Sequence, residues 1–409
     1  MNKLCSLLTA TAGAAVLFTS VQVTGQDWPQ WRGPNRDGKV AGFTAPEKWP
    51  EALTAKWKTQ VGLGDATPAL VGDKLYVFAR QGSEEVILCL NAADGKELWR
   101  DKYEAQAVNG PASGHGGPRS SPAVAKGKVV TLGVGGILSC LDAANGKVVW
   151  RKDNWTKTVP GFFTAMSPLI TGDLCIVHMG GKGEGTVVAL DLASGNSKWE
   201  WAGDGPAYAS PVLFTVDGSQ QVVVQTEKNV VGLGLADGKL LWQVASPAQR
   251  MAQNAVTSVV DGSTIYYSGQ GQGTKAIKIE KQGDSFAAKE LWANATLGTV
   301  FNTPVLKDGS LFGLSDKGNL FCINAQSGEA TWTDSTKHDR FGAVIDAGSV
   351  VLALPGQDST LIAFKPNNKQ YEELAKIKVS DTPTYAHPLV AGHRMFVKDK
   401  ENLTLFSLD

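Results

Sequence analysis

Seven short segments of this 409-residue chain carry aromatic, cationic and amide side chains, and most run straight into a small residue followed by proline. They are GHGGPRSSP (114–122), PGFFTAMSP (160–168), GPAYASP (205–211), RMAQNAVTS (250–258), GTVFNTP (298–304), HDRFGAV (338–344) and TPTYAHP (382–388). Aromatic rings offer apolar contact area, while guanidinium, imidazole and amide groups supply directed hydrogen bonds. A concave surface lined by a few such groups is the usual form of a ligand site. The candidate binding residues are therefore His115, Arg119, Phe162, Phe163, Tyr208, Arg250, Asn254, Phe301, Asn302, Arg340, Phe341, Tyr385 and His387. The same residues could instead fill and satisfy a closed channel; residue type alone does not separate a mouth from a plug. Carboxylates are sparse nearby, Asp339 and Asp381 being the closest, so neither a placed general base nor a cation site with several oxygen ligands is readily built. No catalytic residue is expected.

Other candidate motifs fall short of chemistry. The glycine-rich stretches 180–185 and 269–273 lack the Gly-Lys-Ser/Thr ending and strand-to-helix context of a phosphate cradle. The Asp/Asn–Gly turns lack the alternating oxygen ligands and final Glu of a calcium loop. His115, His178, His338, His387 and His393 show no metal-ligand spacing, and no Gly-x-Ser-x-Gly elbow occurs. No metal is expected. Trp28, Trp31, Arg32 and Arg36 are expected to fasten an N-terminal extension, residues 26–50, to the outside of the fold, with a binding patch as the other use.

Composition narrows the class further. Lys+Arg and Asp+Glu are both 39, without the basic excess or stripe of a nucleic-acid binder. Hydrophobic residues at 43% and charged residues at 19% suit a folded core. Residues 1–25 read as a secretory signal: Lys3, an apolar centre around 7–21, and small residues before a cleavage site at Gln26. No stop-transfer pattern and no lipid-attachment box follow, so a secreted or periplasmic monomer without a transmembrane anchor is expected. Cys89, Cys140 and Cys322 sit at one equivalent place in three repeats, where a bridge would demand backbone movement. With Cys175 they are expected to be buried thiols.

The elements that must position these segments are set by a repeat. Trp57, Trp99, Trp150, Trp199, Trp242, Trp292 and Trp332 are separated by 42, 51, 49, 43, 50 and 40 residues. Five of them stand four residues after a glycine, in NAADGKELW, DAANGKVVW, DLASGNSKW, GLADGKLLW and NAQSGEATW. A second marker opens the repeats at Thr67-Pro68, Ser121-Pro122, Ser167-Pro168, Ser210-Pro211, Thr303-Pro304 and His387-Pro388, with equivalents near Thr257-Ser258 and Gly342-Ala343. Eight repeats result. Residues 67–99 read as four strands joined by Gly-containing turns, which is one propeller blade. Proline opening an innermost edge strand costs no ladder bond. The last repeat ends at 409 without its Trp strand, and residues 51–58 supply one, which removes a free sheet edge. The fold class is an all-β, eight-bladed propeller over residues 51–409.

The run Ala-x-Asp-x-x-x-Gly-Lys-x-x-Trp resembles the tryptophan-docking repeat of pyrroloquinoline quinone (PQQ)-like propellers. DWPQWRGPNRDG (27–38) is similar to the N-terminal segment of planctomycete-type members. The resemblance implies one of two functions. Quinoprotein alcohol dehydrogenases bind PQQ and calcium on the axis, with an acidic base and commonly a vicinal Cys-Cys disulfide; this chain has no Cys-Cys pair. BamB-type members are non-enzymatic platforms for protein partners, although those are lipoproteins. A non-catalytic scaffold that takes a protein partner or small ligand at the mouth, with no cofactor, is the expectation. A minimal PQQ-dependent oxidoreductase is the alternative.

Overall fold

A computed structural model describes residues 27–247 and 253–408. Eight four-stranded antiparallel sheets follow one another around an axis. Blade 1 comprises Ala69–Val71, Lys74–Gln81, Glu84–Asn91 and Glu97–Glu104, from the innermost strand outwards. Blades 2 to 7 occupy residues 123–152, 169–203, 212–245, 259–294, 305–333 and 342–378. Blade 8 combines Leu389–Ala391, Arg394–Lys398 and Asn402–Ser407 with Thr54–Gln60, which pairs antiparallel to Asn402–Ser407 as the outer strand. The ring closes as the sequence implies, with the closing strand a few residues later than 51–58. Middle strands such as Lys74–Gln81 are buried along most of their length because each blade is covered on both faces by its neighbours.

The Gly and Trp of one repeat serve different neighbours. A Cβ on Gly146 would lie 2.5 Å from the Trp99 ring, one on Gly238 2.4 Å from Trp199, and one on Gly328 2.5 Å from Trp292. Each glycine turn thus receives the tryptophan of the preceding blade, and only a residue without Cβ leaves room for the indole. The indole N–H then donates to a carbonyl of that same turn: Trp99 to Ala143 (3.2 Å), Trp150 to Leu192 (3.0 Å), Trp199 to Leu235 (2.9 Å) and Trp292 to Ala325 (2.9 Å). Trp150, Trp199, Trp242 and Trp332 are buried, whereas Trp99 is half-buried. Trp242 departs from the pattern and donates to Gln221 Oε1 of its own blade. Blade 5 explains this: Gly273–Gln282 and Ser285–Asn294 form a long hairpin in place of the docking turn.

The hydroxyl-proline marker also works between blades. The backbone N–H of Thr67 donates to Ser121 Oγ, Ser121 to Ser167, Ser167 to Ser210, Ser210 to Thr257, and Thr257 to Thr303. His387 N–H donates to Thr67 Oγ1 at 2.9 Å and carries this girdle across the closure. Gly342-Ala343 has no hydroxyl, so blade 7 is the gap.

The part of the N-terminal segment that carries Trp28, Trp31, Arg32 and Arg36 does not lie on the outside. Trp28 pairs with Leu70, Pro29 O accepts from Val124, and Val40 donates to Asp346. Arg32 donates to Thr303 O and Pro304 O (both 2.9 Å), and Arg36 to Ser167 O (2.9 Å) and Pro168 O (2.7 Å). Contact with the innermost strands, or their first residues, of blades 1, 2, 3, 6 and 7 places residues 28–40 within the ring, on its axis. Proline lacks an N–H, so acceptors exceed donors at the girdle, and the two buried guanidiniums make up the difference. Burial lowers the Arg32 pKa to about 10 and that of Arg36 to about 9, leaving both charged at neutral pH. Cys89, Cys140, Cys175 and Cys322 are free and buried, and burial raises each thiol's pKa. No helix among the described residues is long and apolar enough to cross a membrane.

Candidate functional site

The segments leading into the innermost strands share one face with the loops between second and third strands. Tyr385 Oη, for example, accepts from Gln357, and Leu63 bridges to Arg80. On that face the candidate residues join into a band. Phe301 and Phe341 stack with centroids 4.0 Å apart and planes 1° from parallel, and Arg340 lies over both rings at 5.4 and 5.8 Å. Phe341 meets the edge of Tyr385 at 5.7 Å, and Tyr385 meets His115 at 4.8 Å. Arg119 donates to His115 O at 2.9 Å and to Phe162 O. Phe162 N–H donates to Tyr208 Oη at 3.0 Å, and Tyr208 N–H to Asn254 O at 3.1 Å.

Asp65 belongs to this band and was not among the sequence candidates. Its Oδ2 lies 2.6 Å from His115 Nδ1, and its N–H donates to Pro118 O at 2.8 Å. The signal was present in GLGDATP (62–68), the lead-in to blade 1, which stands just before Thr67-Pro68 like the other seven segments. Asp65 also opposes the burial that lowers the Arg119 pKa. Burial raises the phenol pKa of Tyr208 and of Tyr385.

Four candidates are committed to the fold instead. Phe163 is buried against Ala112 and Val134, with its backbone in the left-handed region at φ 64°. Asn254 donates to Thr226 O (2.9 Å) and Ser246 O (2.8 Å), so its carboxamide ties loop carbonyls together. Asn302 does the same for Leu314, donating to its O at 2.7 Å and accepting from its N–H at 3.2 Å. His387 is buried under the girdle with its ring 5.6 Å from Trp31. Burial first, then Arg32, depresses its pKa to about 3. Arg250 lies outside the described residues.

The model of the family described as outer membrane protein assembly factor BamB matches residues 36–200 and 83–334. The chain belongs to this PQQ-like, BamB-type propeller family. BamB of Yersinia pestis is 24% identical over 325 residues, covering 76% of this chain and 68% of its own length. Among solved structures, BamB from Moraxella catarrhalis aligns with a TM-score of 0.64 at 16% identity, over 87% of this chain and 98% of its own. Quinohemoprotein alcohol dehydrogenase from Comamonas testosteroni aligns at 0.70 and 15% identity, over 95% and 81%. At such identities the two structures speak to fold alone.

The described residues on the axis and mouth do not fit calcium. Among the described residues no three His, Cys, Asp or Glu side chains gather as a metal would need. Asp65 is engaged by His115, and Asp339 accepts the Gln357 N–H at 3.2 Å. A hard cation takes six to eight oxygen ligands, and this donor set is far short of that.

Proposed function

We propose that this chain is an exported, non-catalytic scaffold that seats a protein partner on its channel mouth. The observation that carries the reading is the band from Phe301 to Tyr208, to which seven blades contribute by side chain or lead-in segment. At one end, the Arg340 guanidinium rests on two stacked rings and makes no ion pair among the described residues. Aromatic and arginine side chains dominate binding hot spots, and exposed Phe162 extends the apolar part of the band. Membership in a family named for outer membrane protein assembly supports a protein, rather than a metabolite, as the partner. The export pattern of residues 1–25 supports a periplasmic or secreted site of action.

Phe301→Ala and Arg340→Ala test this. Each should leave the melting profile intact and weaken capture of the wild-type partner set from a periplasmic extract by about tenfold, or 1.4 kcal/mol. Unchanged capture by both variants would move the binding surface elsewhere. The quinoprotein reading has a fold neighbour in its favour and makes a separate claim: added PQQ and calcium should give bound-cofactor absorbance and dye-linked alcohol oxidation. Turnover would overturn the non-catalytic reading.

A further inference from the structure

The face opposite the mouth carries a cleft of about 620 Å³ where residues 45–49 of the N-terminal segment approach blades 6 and 7. Its walls come from the first turn of each of those blades, around Asp308 and Ser349, and from the last turn of blade 7, around Asn367. The volume falls within the range of small-molecule sites.

Trp49 forms one wall. It is half-buried and packs against the core cluster of Phe43, Val350 and Leu352, which holds the ring in place. Its indole N–H makes no hydrogen bond among the described residues, unlike those of the docking tryptophans described above. The exposed side chains of Ser349 and Asn368 likewise make no hydrogen bond among the described residues. An aromatic wall therefore faces a space bordered by unused donors and acceptors.

Charge selects the ligand class. Lys307 lies 3.3 Å from Asp346 and 3.7 Å from Asp308, and Lys365 is paired with Glu372. Both cations are neutralised from within, while Glu47 on the rim has no ion pair among the described residues. In the lining, Lys307 and Lys365 are matched in number by Glu47 and Asp308, so the cleft has no surplus positive charge with which to draw phosphate, sulfate or carboxylate ligands. Amide, hydroxyl and carboxylate groups on the rim equally disfavour a wholly apolar ligand, whose burial would leave them unpaired.

We infer that this cleft is a binding site for a short neutral saccharide, with one sugar ring against Trp49 and its hydroxyls on Ser349, Asn368 and Glu47. The site is independent of the mouth and of any partner seated there.

Isothermal titration of the mature protein with maltotriose, cellotriose and chitotriose tests the inference. One of the three should bind with a Kd at or below about 1 mM. Trp49→Ala should weaken it at least tenfold, Ser349→Trp should abolish it by filling the cleft, and Phe301→Ala at the mouth should leave it unchanged. Absence of binding by all three trisaccharides overturns the inference, as does binding that survives Ser349→Trp. Tighter binding of inorganic phosphate, lost in Ser349→Trp, would also overturn it. Retention on an insoluble polysaccharide without trisaccharide binding would show that an outer surface, not the cleft, takes the sugar.

Discussion

Replacing Gly146 by alanine should separate tryptophan docking from ordinary turn strain. Gly146 has φ +75°, and a Cβ there would lie 2.5 Å from Trp99 Cε3 and 2.8 Å from Cδ2. Gly127, in the same blade, has φ +68° and nothing within 4 Å of its Cβ position. Both substitutions force a side chain into the left-handed region, at about 1–2 kcal/mol each. Only Gly146→Ala also displaces a packed indole. Overpacking of this kind costs about 1–3 kcal/mol, and the Trp99–Ala143 hydrogen bond, worth about 0.5–1.5 kcal/mol, is put at risk. Gly146→Ala should therefore destabilise the protein by about 2–5 kcal/mol and Gly127→Ala by about 1–2. Urea unfolding followed by far-UV circular dichroism reads the difference as a shift in midpoint at constant slope. In a Trp99→Ala background the added cost of Gly146→Ala should fall to that of Gly127→Ala, a coupling of about 1–3 kcal/mol. Equal losses for the two glycine variants in the wild-type background would refute docking across blades.

Two further outcomes follow from the axis. Arg36→Met leaves Ser167 O and Pro168 O without their donor and should cost about 1–3 kcal/mol in the same assay; a loss below about 0.5 kcal/mol would mean the guanidinium does not pin the segment. His387 has a folded pKa of about 3 against an ordinary 6.5, so between those values the unfolded chain binds a proton that the folded chain refuses. Its contribution is constant above pH 6.5 and is lost as pH falls towards 3. The unfolding free energy of wild type minus that of His387→Gln should decline over that window, and a pH-independent difference would refute the assignment.

Blade number, strand order and ring closure could be read from residue order because they rest on short-range signals. The turn Asn91–Lys96 is specified by Asx bonds from Asn91 and Asp94 and by Gly95 at φ +71°, all within six residues. The spacing of Trp and hydroxyl-proline markers counts such units without knowledge of what they touch. Which unit each marker touches is another matter. Gly146 and Trp150 share a repeat, yet the glycine holds Trp99 of blade 2's predecessor while Trp150 reaches Leu192 of its successor. Asn254 and Asn302 looked like ligand groups because an amide suits either a ligand or a loop carbonyl, and only the folded neighbours show that the carbonyls claim them. Asp65 joins His115 across 50 residues, and Arg32 and Arg36 reach carbonyls more than 130 residues away. Arginine is mostly an exposed residue, so nothing in the residue types of 27–38 marks an axial position for Arg32 and Arg36. Inside the ring, the carbonyls left over by a girdle of prolines offer Arg32 and Arg36 enough acceptors to replace that water, and that surplus exists only once eight blades have closed.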